Sequence, residues 1–586
     1  MAISLDAARD RAVRYKRLYI QLFERLAALC AVMICLVLQP VPAWAQMNMA
    51  GHVMEMQDET PPEKLPVPRE MSGIGNAHLE ITANREAQIW FDQGLNLLHD
   101  FWDYESARAF EQSIRVDSRC AMCYWGLYKA ESFYHGTAQG YAGRALDKAM
   151  SLKGGASGRE RLYIEATAAQ KNARSQSVEL WRKLVREYPN DMQARIFLAA
   201  VVDHPESVTI LESVLKRIPE DSAANHYYIH ALEATEDPGK AFHSAEILAK
   251  LAPASGHMVH MPGHIFFRTG NYARAEQAFR ASMEVDERYM LEQHVEPDND
   301  WNYVHNLMYA VANLMEEGKL RDATEVSAKL SGARGKLEST LYIYSARDSM
   351  ARIDPRLPVA LRTADWAQVA NLARAAKLAG ARPNLSFLAG QLACFADGMQ
   401  AFEAHDYAKA EDASARFDAG LWRESAMPGV PKKVNHDHVP KLAVMPDALL
   451  DPLLKTLSVM SLELRASLLT GQGKTAEAAS LWLQAAKDEK ELGYHEPPAY
   501  IRPVGESEGA AKLAAGDWAG AKAAYEQALK ERPCSGFALY GIAVSSEKSG
   551  DAASARKEYA DFLAAWKDAD PDLAQVQQAR QVTGSR

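Results

Sequence analysis

Cysteine is scarce in this sequence, which has six in 586 residues. Two of them, Cys30 and Cys35, lie in an N-terminal segment that we predict to be removed. The rest cannot form the dense framework of a small disulfide-stabilised protein. Cys120 and Cys123 form CAMC, and the absence of a following His excludes attachment of a c-type haem. This motif is either a redox or metal-binding pair or, as we favour, two small core residues at a repeat junction.

Excess positive charge is absent as well. The formal net charge is -10, whereas a protein that binds nucleic acid needs a basic face to neutralise phosphates. This balance argues against nucleic acid as a partner.

Long apolar runs are also missing. The run Leu26–Leu38 is short for a membrane span. It follows a basic stretch and precedes small residues at Ala43 and Ala45, which is typical of a secretory signal. We therefore predict a signal peptide over residues 1–45, cleaved after Ala45, and export to the periplasm. An uncleaved anchor is the alternative.

The segment 46–85 predicted to follow the signal peptide is unusual in composition. The first part of the segment is rich in Met, and a Pro-rich stretch follows it, so we expect the segment to be flexible. Thioethers are soft ligands that select Cu(I) over hard ions, and Met/His clusters of this kind are similar to those of periplasmic copper-handling proteins. The alternative is a linker that happens to be rich in Met. The candidate copper contacts are Met47, Met49, His52, Met54 and Met56.

The chain is too long for one core, and its pattern repeats. His226 and His260 are 34 residues apart, as are His230 and His264. A period of 34 with small residues at matching places is the tetratricopeptide signature. We predict an all-α solenoid of such helical hairpins. Its parts are an N-terminal array with the histidine cluster (86–330), an irregular helical middle with a long loop (331–448) and a C-terminal array (449–586).

The sequence resembles tetratricopeptide-repeat (TPR) proteins over nearly all of the predicted mature chain. The segments HYYIHALE, GHMVHMPGHIFFRTGNYARA and YHEPPAYIRPVGES also resemble a group of exported bacterial repeat proteins with a GHxxHMPxHI motif. This resemblance implies the fold but carries no established activity.

The repeat frame of this resemblance places the histidines at equivalent positions. With Ala241 and Ala275 as the turn-region alanines, the frame implies that one group of side chains lies on the ligand-binding side of the first helices, lining the concave groove. The group comprises His226, His230, His257, His260, His264 and His305, with Glu233 and Arg268 beside them.

These residues favour a metal site. Imidazole suits Zn, Cu, Fe and Ni, and His residues at i and i+4 on one helix can bind one ion together. Copper is favoured, with zinc or iron as alternatives. Glu233 and Arg268 would be ligands or support the ligands. A polar or anionic organic ligand and purely structural histidines remain alternative interpretations.

A second unusual stretch contains His495 and Glu496 followed by two prolines. The prolines favour an extended loop, and a superhelix can fold such a loop over its own groove. We therefore treat both residues as candidate ligands or supporting groups. His436 and His438 could also bind metal, but a solvated loop is the preferred interpretation there.

Three functions are compatible with these patterns. The favoured one is a periplasmic protein that binds a metal ion, copper first, through the histidine ladder. A metal-dependent oxidase or hydrolase could use the same cluster with Glu233 or Glu496 as base, although no HExxH motif, nucleophile elbow or phosphate loop indicates a reaction. A protein-interaction scaffold with a partner in the groove is the third.

Overall fold

A computed structural model describes residues 60–134, 140–170, 173–297, 300–333, 346–378, 383–425, 451–498 and 500–584. The predicted signal peptide, the Met/His contacts between positions 47 and 56, and His436 and His438 lie outside the described residues.

The first half of the described chain consists of fourteen helices. They are α1 (Arg85–His99), α2 (Asp103–Val116), α3 (Ala121–Tyr134), α4 (Tyr141–Leu152), α5 (Gly158–Gln170), α6 (Arg174–Glu187), α7 (Met192–Ala199), α8 (His204–Leu215), α9 (Ser222–Glu233), α10 (Phe242–Leu251), α11 (Gly256–Arg268), α12 (Tyr272–Gln293), α13 (Trp301–Glu316) and α14 (Leu320–Ala333).

Twelve helices follow. They are α15 (Ala346–Ile353), α16 (Leu357–Arg362), α17 (Trp366–Ala375), α18 (Pro383–Glu403), α19 (Tyr407–Ser425), α20 (Asp451–Gly471), α21 (Thr475–Glu491), α22 (Val504–Ala515), α23 (Trp518–Glu531), α24 (Gly536–Lys548), α25 (Ala552–Ala565) and α26 (Ala574–Thr583). Short 3₁₀ turns cover Pro62–Lys64, Lys153–Gly155 and Pro238–Ala241. The described ranges contain no β-strand. Within them, none of the helices combines the length and apolar character that a membrane crossing requires.

Each helix packs against the next one in the chain, and several also touch the next but one, as α9 touches α11 and α11 touches α13. Local packing of this kind builds a solenoid from supersecondary units rather than around one central core. The predicted fold class, an all-α solenoid of TPR-type hairpins, is confirmed.

The hairpins begin at recurring signals. A proline ends one helical hairpin, and the side chain two residues after it caps the first helix of the next hairpin. Asp191 accepts a hydrogen bond from the Ala194 amide at 2.9 Å, and Asp221 accepts one from Ala224 at 2.8 Å. These caps satisfy backbone donors that the first turn of a helix leaves unpaired. They fix where α7 and α9 begin.

Glycine allows the two helices of a hairpin to approach closely. A Cβ on Gly263 of α11 would lie 2.3 Å from the Phe279 ring of α12. The same pairing recurs between Gly94 and Phe110, sixteen residues apart as in the first case. The aromatic ring therefore occupies the volume that a side chain on the first helix would need.

The segment 60–84 differs from the flexible linker predicted there. Leu65, Ile74, Leu79 and Ile81 are buried against the first repeats, and the Ala254 amide donates to the Gly73 carbonyl at 2.8 Å. Apolar residues among the prolines give this part of the segment enough surface to bury.

The CAMC motif also differs from the favoured interpretation. Cys120 and Cys123 are buried, as expected of core residues, but they are joined in a disulfide. Because the two cysteines are three positions apart at the start of α3, the bond closes a single helical turn and does not connect distant repeats.

The C-terminal array folds against α13 of the N-terminal array. Arg362 donates to Glu316 at 2.9 Å and to Glu506 at 2.5 Å, and Arg532 donates to Glu316 at 2.8 Å. All four side chains are buried. Two arginines and two glutamates thus form a neutral network that ties helices from three parts of the chain together.

Candidate metal centre

Three neighbouring helices bring the six predicted histidines together. α9 carries two of them at i and i+4, α11 carries three at i, i+3 and i+7, and α13 carries one. These spacings place the histidines of each helix on one face. A neighbouring face of α11 packs Met258, Met261 and Ile265 into the hydrophobic core.

The first triad consists of His226, His230 and His257. Each of these residues offers a ring nitrogen, and the three nitrogens lie within 4.8 Å of one another. The Nε2 atoms of His226 and His230 are 3.0 Å apart, and the His257 ring centre lies 4.9 Å from that of His226.

The second triad consists of His260, His264 and His305. Its three nitrogens also lie within 4.8 Å of one another. The Nε2 atoms of His260 and His264 are 2.7 Å apart, and the His305 ring centre lies 4.8 Å from that of His260. The two triads adjoin, since the His257 and His260 ring centres are 5.9 Å apart.

Glu233 links the two triads on the Nδ1 side of their rings. One of its oxygens accepts the Nδ1–H of His230 at 2.6 Å, and the other accepts the Nδ1–H of His264. Burial alone would raise the pKa of the Glu233 carboxyl, but these two histidines hold that pKa below its ordinary value. Glu233 is therefore a carboxylate that orients one ring of each triad.

Backbone and amide oxygens orient three more rings. His226 Nδ1 donates to the His99 carbonyl at 2.6 Å, His257 Nδ1 to Asn302 Oδ1 at 3.0 Å, and His260 Nδ1 to Asn306 Oδ1 at 2.7 Å. The amide orientations are fixed because Asn302 Nδ2 donates to Asp286 and Asn306 Nδ2 donates to the Phe279 carbonyl. Since each acceptor lacks a proton, Nδ1 carries the hydrogen and Nε2 keeps its lone pair.

Burial keeps the rings of His226, His260 and His264 neutral. It lowers the pKa of His226 and of His260 well below the ordinary histidine value, and in each case the next histidine on the helix lowers it further. Burial also lowers the pKa of His264 despite its contact with Glu233. Neutral imidazole is the form that binds metals.

Aromatic rings surround the triads. The Phe101 ring centre lies 4.7 Å from that of His226 and 5.2 Å from that of His230. Trp301 packs 4.9 Å from His257, and Tyr309 packs 4.2 Å from His264. The histidines therefore do not line an open groove as the repeat frame implied: they are at most 6% exposed, because other segments fill the space in front of them.

One of those segments follows α21, and we call residues 493–498 the strap. Its Tyr494 hydroxyl lies 3.3 Å from the Tyr309 hydroxyl, and its Glu496 Oε2 lies 3.6 Å from His305 Nε2. The structure thus brings Glu496 to the cluster. His495 Nε2 instead donates to the Leu492 carbonyl at 2.7 Å.

Arg268 and Pro262 have structural roles. Arg268 donates to the backbone carbonyls of Glu233 and Thr235 at 3.1 and 3.2 Å, so it caps the end of α9. Pro262 lies inside α11 rather than at its start, so His257 and His260 belong to the helix and not to a bent approach to it.

Sequence reasoning missed the oxygen acceptors and the aromatic cover. Asn302 and Asn306 flank His305 in WNYVHN at i and i+4, a spacing that could have placed them on one face with it. The His99 carbonyl and Phe101 gave no signal, because their roles depend on how α1 lies against α9.

No family model matches the sequence, and no curated protein does. Among solved structures, the chain is similar to human IFIT1 in a dimer with PPP-AAAA, at 13% identity and a TM-score of 0.34, over 84% of this chain and 97% of the other. It is similar to yeast Tom70 at 11% identity and 0.28, over 86% and 95%.

A third similarity is to the APC/C hetero-tetramer Cut9–Hcn1, at 13% identity and a TM-score of 0.24, over 75% of this chain and 86% of that chain. These similarities concern the TPR-like helical-repeat fold alone. With TM-scores below 0.5 they carry no argument about ligand or partner.

Proposed function

We propose that this chain is an exported helical-repeat protein that binds two metal ions, copper favoured, one at each histidine triad. The observation that carries the proposal is the pair of facing Nε2 atoms in each triad, which are the unprotonated nitrogens of rings whose Nδ1 donates to an oxygen. Two ligand nitrogens about 2.0–2.1 Å from one tetrahedral ion would be ~3.3 Å apart. The contacts of 3.0 and 2.7 Å approach that spacing.

A proton shared by the two nitrogens would also relieve the repulsion between two unprotonated Nε2 atoms that face each other. It would create a buried imidazolium, and burial disfavours the charged form of His226 and His260. A metal ion relieves the same repulsion with a stronger bond. Its outer partners are also present, because metal-bound histidines usually donate their second ring N–H to an oxygen.

Copper is favoured by ligand type. Imidazole binds several metals, but Cu²⁺ has the highest affinity in the divalent series. The Met/His segment near the N-terminus would add soft ligands for Cu(I). The proposal places this chain with the exported repeat proteins that share the GHxxHMPxHI motif.

A scaffold role is less well supported. A helical-repeat fold suits a protein partner, but buried histidines offer nothing to such a partner.

Elemental analysis tests the proposal. Full-length protein without a histidine tag is loaded with Cu²⁺, because the thioethers of the Met/His segment select Cu(I) instead. It is then desalted and analysed beside His257→Asn for the first triad and His305→Asn for the second. We expect two ions per chain in the wild type, one in each single variant and none in the double variant. His243→Asn, at an exposed position of α10, is the matched control. A wild type that retains no metal, or variants with unchanged content, would contradict the proposal.

A further inference from the structure

The two triads have different surroundings. The first faces aromatic carbon, since the Phe101 ring packs against His226, His230 and His257 with ring centres 4.7, 5.2 and 5.6 Å away. The second faces the strap, which is held in place by Tyr494. The Arg268 guanidinium lies 5.8 Å from the Tyr494 ring centre, and the two tyrosine hydroxyls meet at 3.3 Å.

Glu496 lies at the edge of the second triad, beside His305. The 3.6 Å between its Oε2 and His305 Nε2 is longer than an ordinary hydrogen bond. It is close to the ~3.3 Å that separates two ligands of one tetrahedral ion. Oxygens of Glu496 and Glu233 also lie within 4.8 Å of each other and of a His230 nitrogen, so the carboxylate points into the cluster.

Glu496 is also the most accessible of these groups. Its side chain is 23% exposed, whereas that of His305 is 8% exposed. An ion that reaches the second triad along the strap would therefore meet a carboxylate first.

A carboxylate changes the metal preference of a histidine site. Oxygen ligands are hard, and three histidines with one carboxylate suit Zn²⁺, which takes four nitrogen, sulfur or oxygen ligands. Three histidines under an aromatic cover offer only nitrogen ligands, for which Cu²⁺ has the highest affinity in the divalent series.

We propose that Glu496 completes the second triad as its fourth ligand, so that, when both metals are offered, the second site takes a four-coordinate divalent cation of the Zn²⁺ class while the first site takes copper. This inference rests on the proposed metal binding and adds that the two triads prefer different metals. It also makes the strap part of the site, because a ligand on it must close over the bound ion.

The test isolates the second site in a His257→Asn background. Zn²⁺ affinity is measured by competition with a chromophoric chelator, and Co²⁺ serves as a visible-absorption probe of four-coordinate geometry. Glu496→Gln keeps the side-chain size but removes the charge, so we expect Zn²⁺ affinity to fall at least tenfold and the intense Co²⁺ bands to weaken. Glu491→Gln, an exposed position at the end of α21, is the matched control.

The outcomes separate this inference from the proposed function. Equal Zn²⁺ affinity in Glu496→Gln and in the control overturns the inference and leaves two histidine sites. Copper bound with no Zn²⁺ at the second site also overturns it. If the wild type binds neither metal, the proposed function fails and the inference fails with it. Far-ultraviolet circular dichroism identifies a variant that has lost its fold, and Glu496→Asp then replaces it, with the shorter carboxylate expected to weaken Zn²⁺ binding less than Gln.

Discussion

At the residue scale, Glu233 is the side chain on which both triads depend. It lies at the last position of α9 and is fully buried, with each oxygen bound to the Nδ1–H of a different triad's histidine. Such outer partners fix the tautomer and orientation of a metal-binding ring and raise its basicity. One carboxylate therefore makes both rings present Nε2.

Replacing Glu233 with Gln should weaken both sites together. The amide keeps one acceptor oxygen but turns an NH₂ toward the other histidine, where two donors would face each other. We expect copper affinity to fall about 10–100-fold, measured by competition with a chelator. The exposed Glu236→Gln should leave affinity unchanged, and a Glu233→Gln protein with wild-type affinity would contradict this role.

The residue scale also shows what sequence could predict. The period of 34 identified His226, His230, His260 and His264 because a repeat returns the same helix face to the same place. The two prolines that follow Glu496 indicated only an extended loop. Its position over His305 depends on how α21 and α22 lie against α13, and no local pattern encodes that long-range packing.

At the element scale, close packing of α11 on α12 sets the position of three histidines. Gly263 has the Phe279 ring where its side chain would be, and His260 and His264 flank it on the same helix. The ring therefore determines how deeply α11 lies between its neighbours, and small shifts of that helix would move ligand atoms of both triads.

Gly263→Ala should destabilise the protein and weaken metal binding. The added methyl overlaps an aromatic ring that cannot leave the core, a kind of overpacking that costs about 1–3 kcal/mol. Gly390→Ala is the control, because this exposed helical position has nothing within 4 Å of the new methyl. There we expect a gain of about 0.5–1 kcal/mol from helix propensity. Urea unfolding measures the change in the free energy of unfolding for both variants. Changes of the same sign in Gly263→Ala and Gly390→Ala would refute the packing argument.

Helix α20 also contacts the residues that follow the strap, and Glu463 makes this contact. This residue of α20 is 4% exposed and accepts a hydrogen bond from the Tyr500 hydroxyl. Burial raises the pKa of Glu463 from 4.5 to about 7, although hydrogen bonds from Ser507 and Tyr500 oppose the rise. The folded protein therefore keeps this proton at a pH where the unfolded chain has released it.

The free energy of unfolding should fall as pH rises through this window. A folded-state pKa above the unfolded value stabilises the fold fully below pH 4.5, and that contribution is lost as pH passes about 7. Glu463→Gln removes the titration, so relative to wild type it should gain about 3 kcal/mol between these limits. Urea unfolding at several pH values measures the difference, with the exposed Glu477→Gln as control. A pH-independent difference would contradict the assignment.

At the scale of the whole molecule, the buried network of Glu316, Arg362, Glu506 and Arg532 closes the C-terminal array onto the N-terminal one. In an open solenoid each repeat contacts only its neighbours, whereas here Glu316 meets a residue 216 positions away. Closure of this kind also brings the strap over the second triad. The sequence predicted the repeats but not this contact, because buried Glu and Arg are indistinguishable from surface ones in a helical pattern.

Arg362→Met should therefore cost far more than the loss of a surface pair. It would leave Glu316 and Glu506 as buried carboxylates with only Arg532, which donates to Glu316, to balance them. Breaking a buried pair costs about 3–5 kcal/mol. Arg321 pairs with Asp572 across the same two arrays, but both side chains are more than 60% exposed, so Arg321→Met should cost less than about 1 kcal/mol. Thermal unfolding measures both variants. Arg532 of this network also donates to the Tyr500 carbonyl at 3.0 Å, two residues after the strap. Arg362→Met should therefore also lower Zn²⁺ affinity at the second triad, while Arg321→Met leaves it unchanged. Equal effects of the two variants on stability would show that the network is not what closes the molecule.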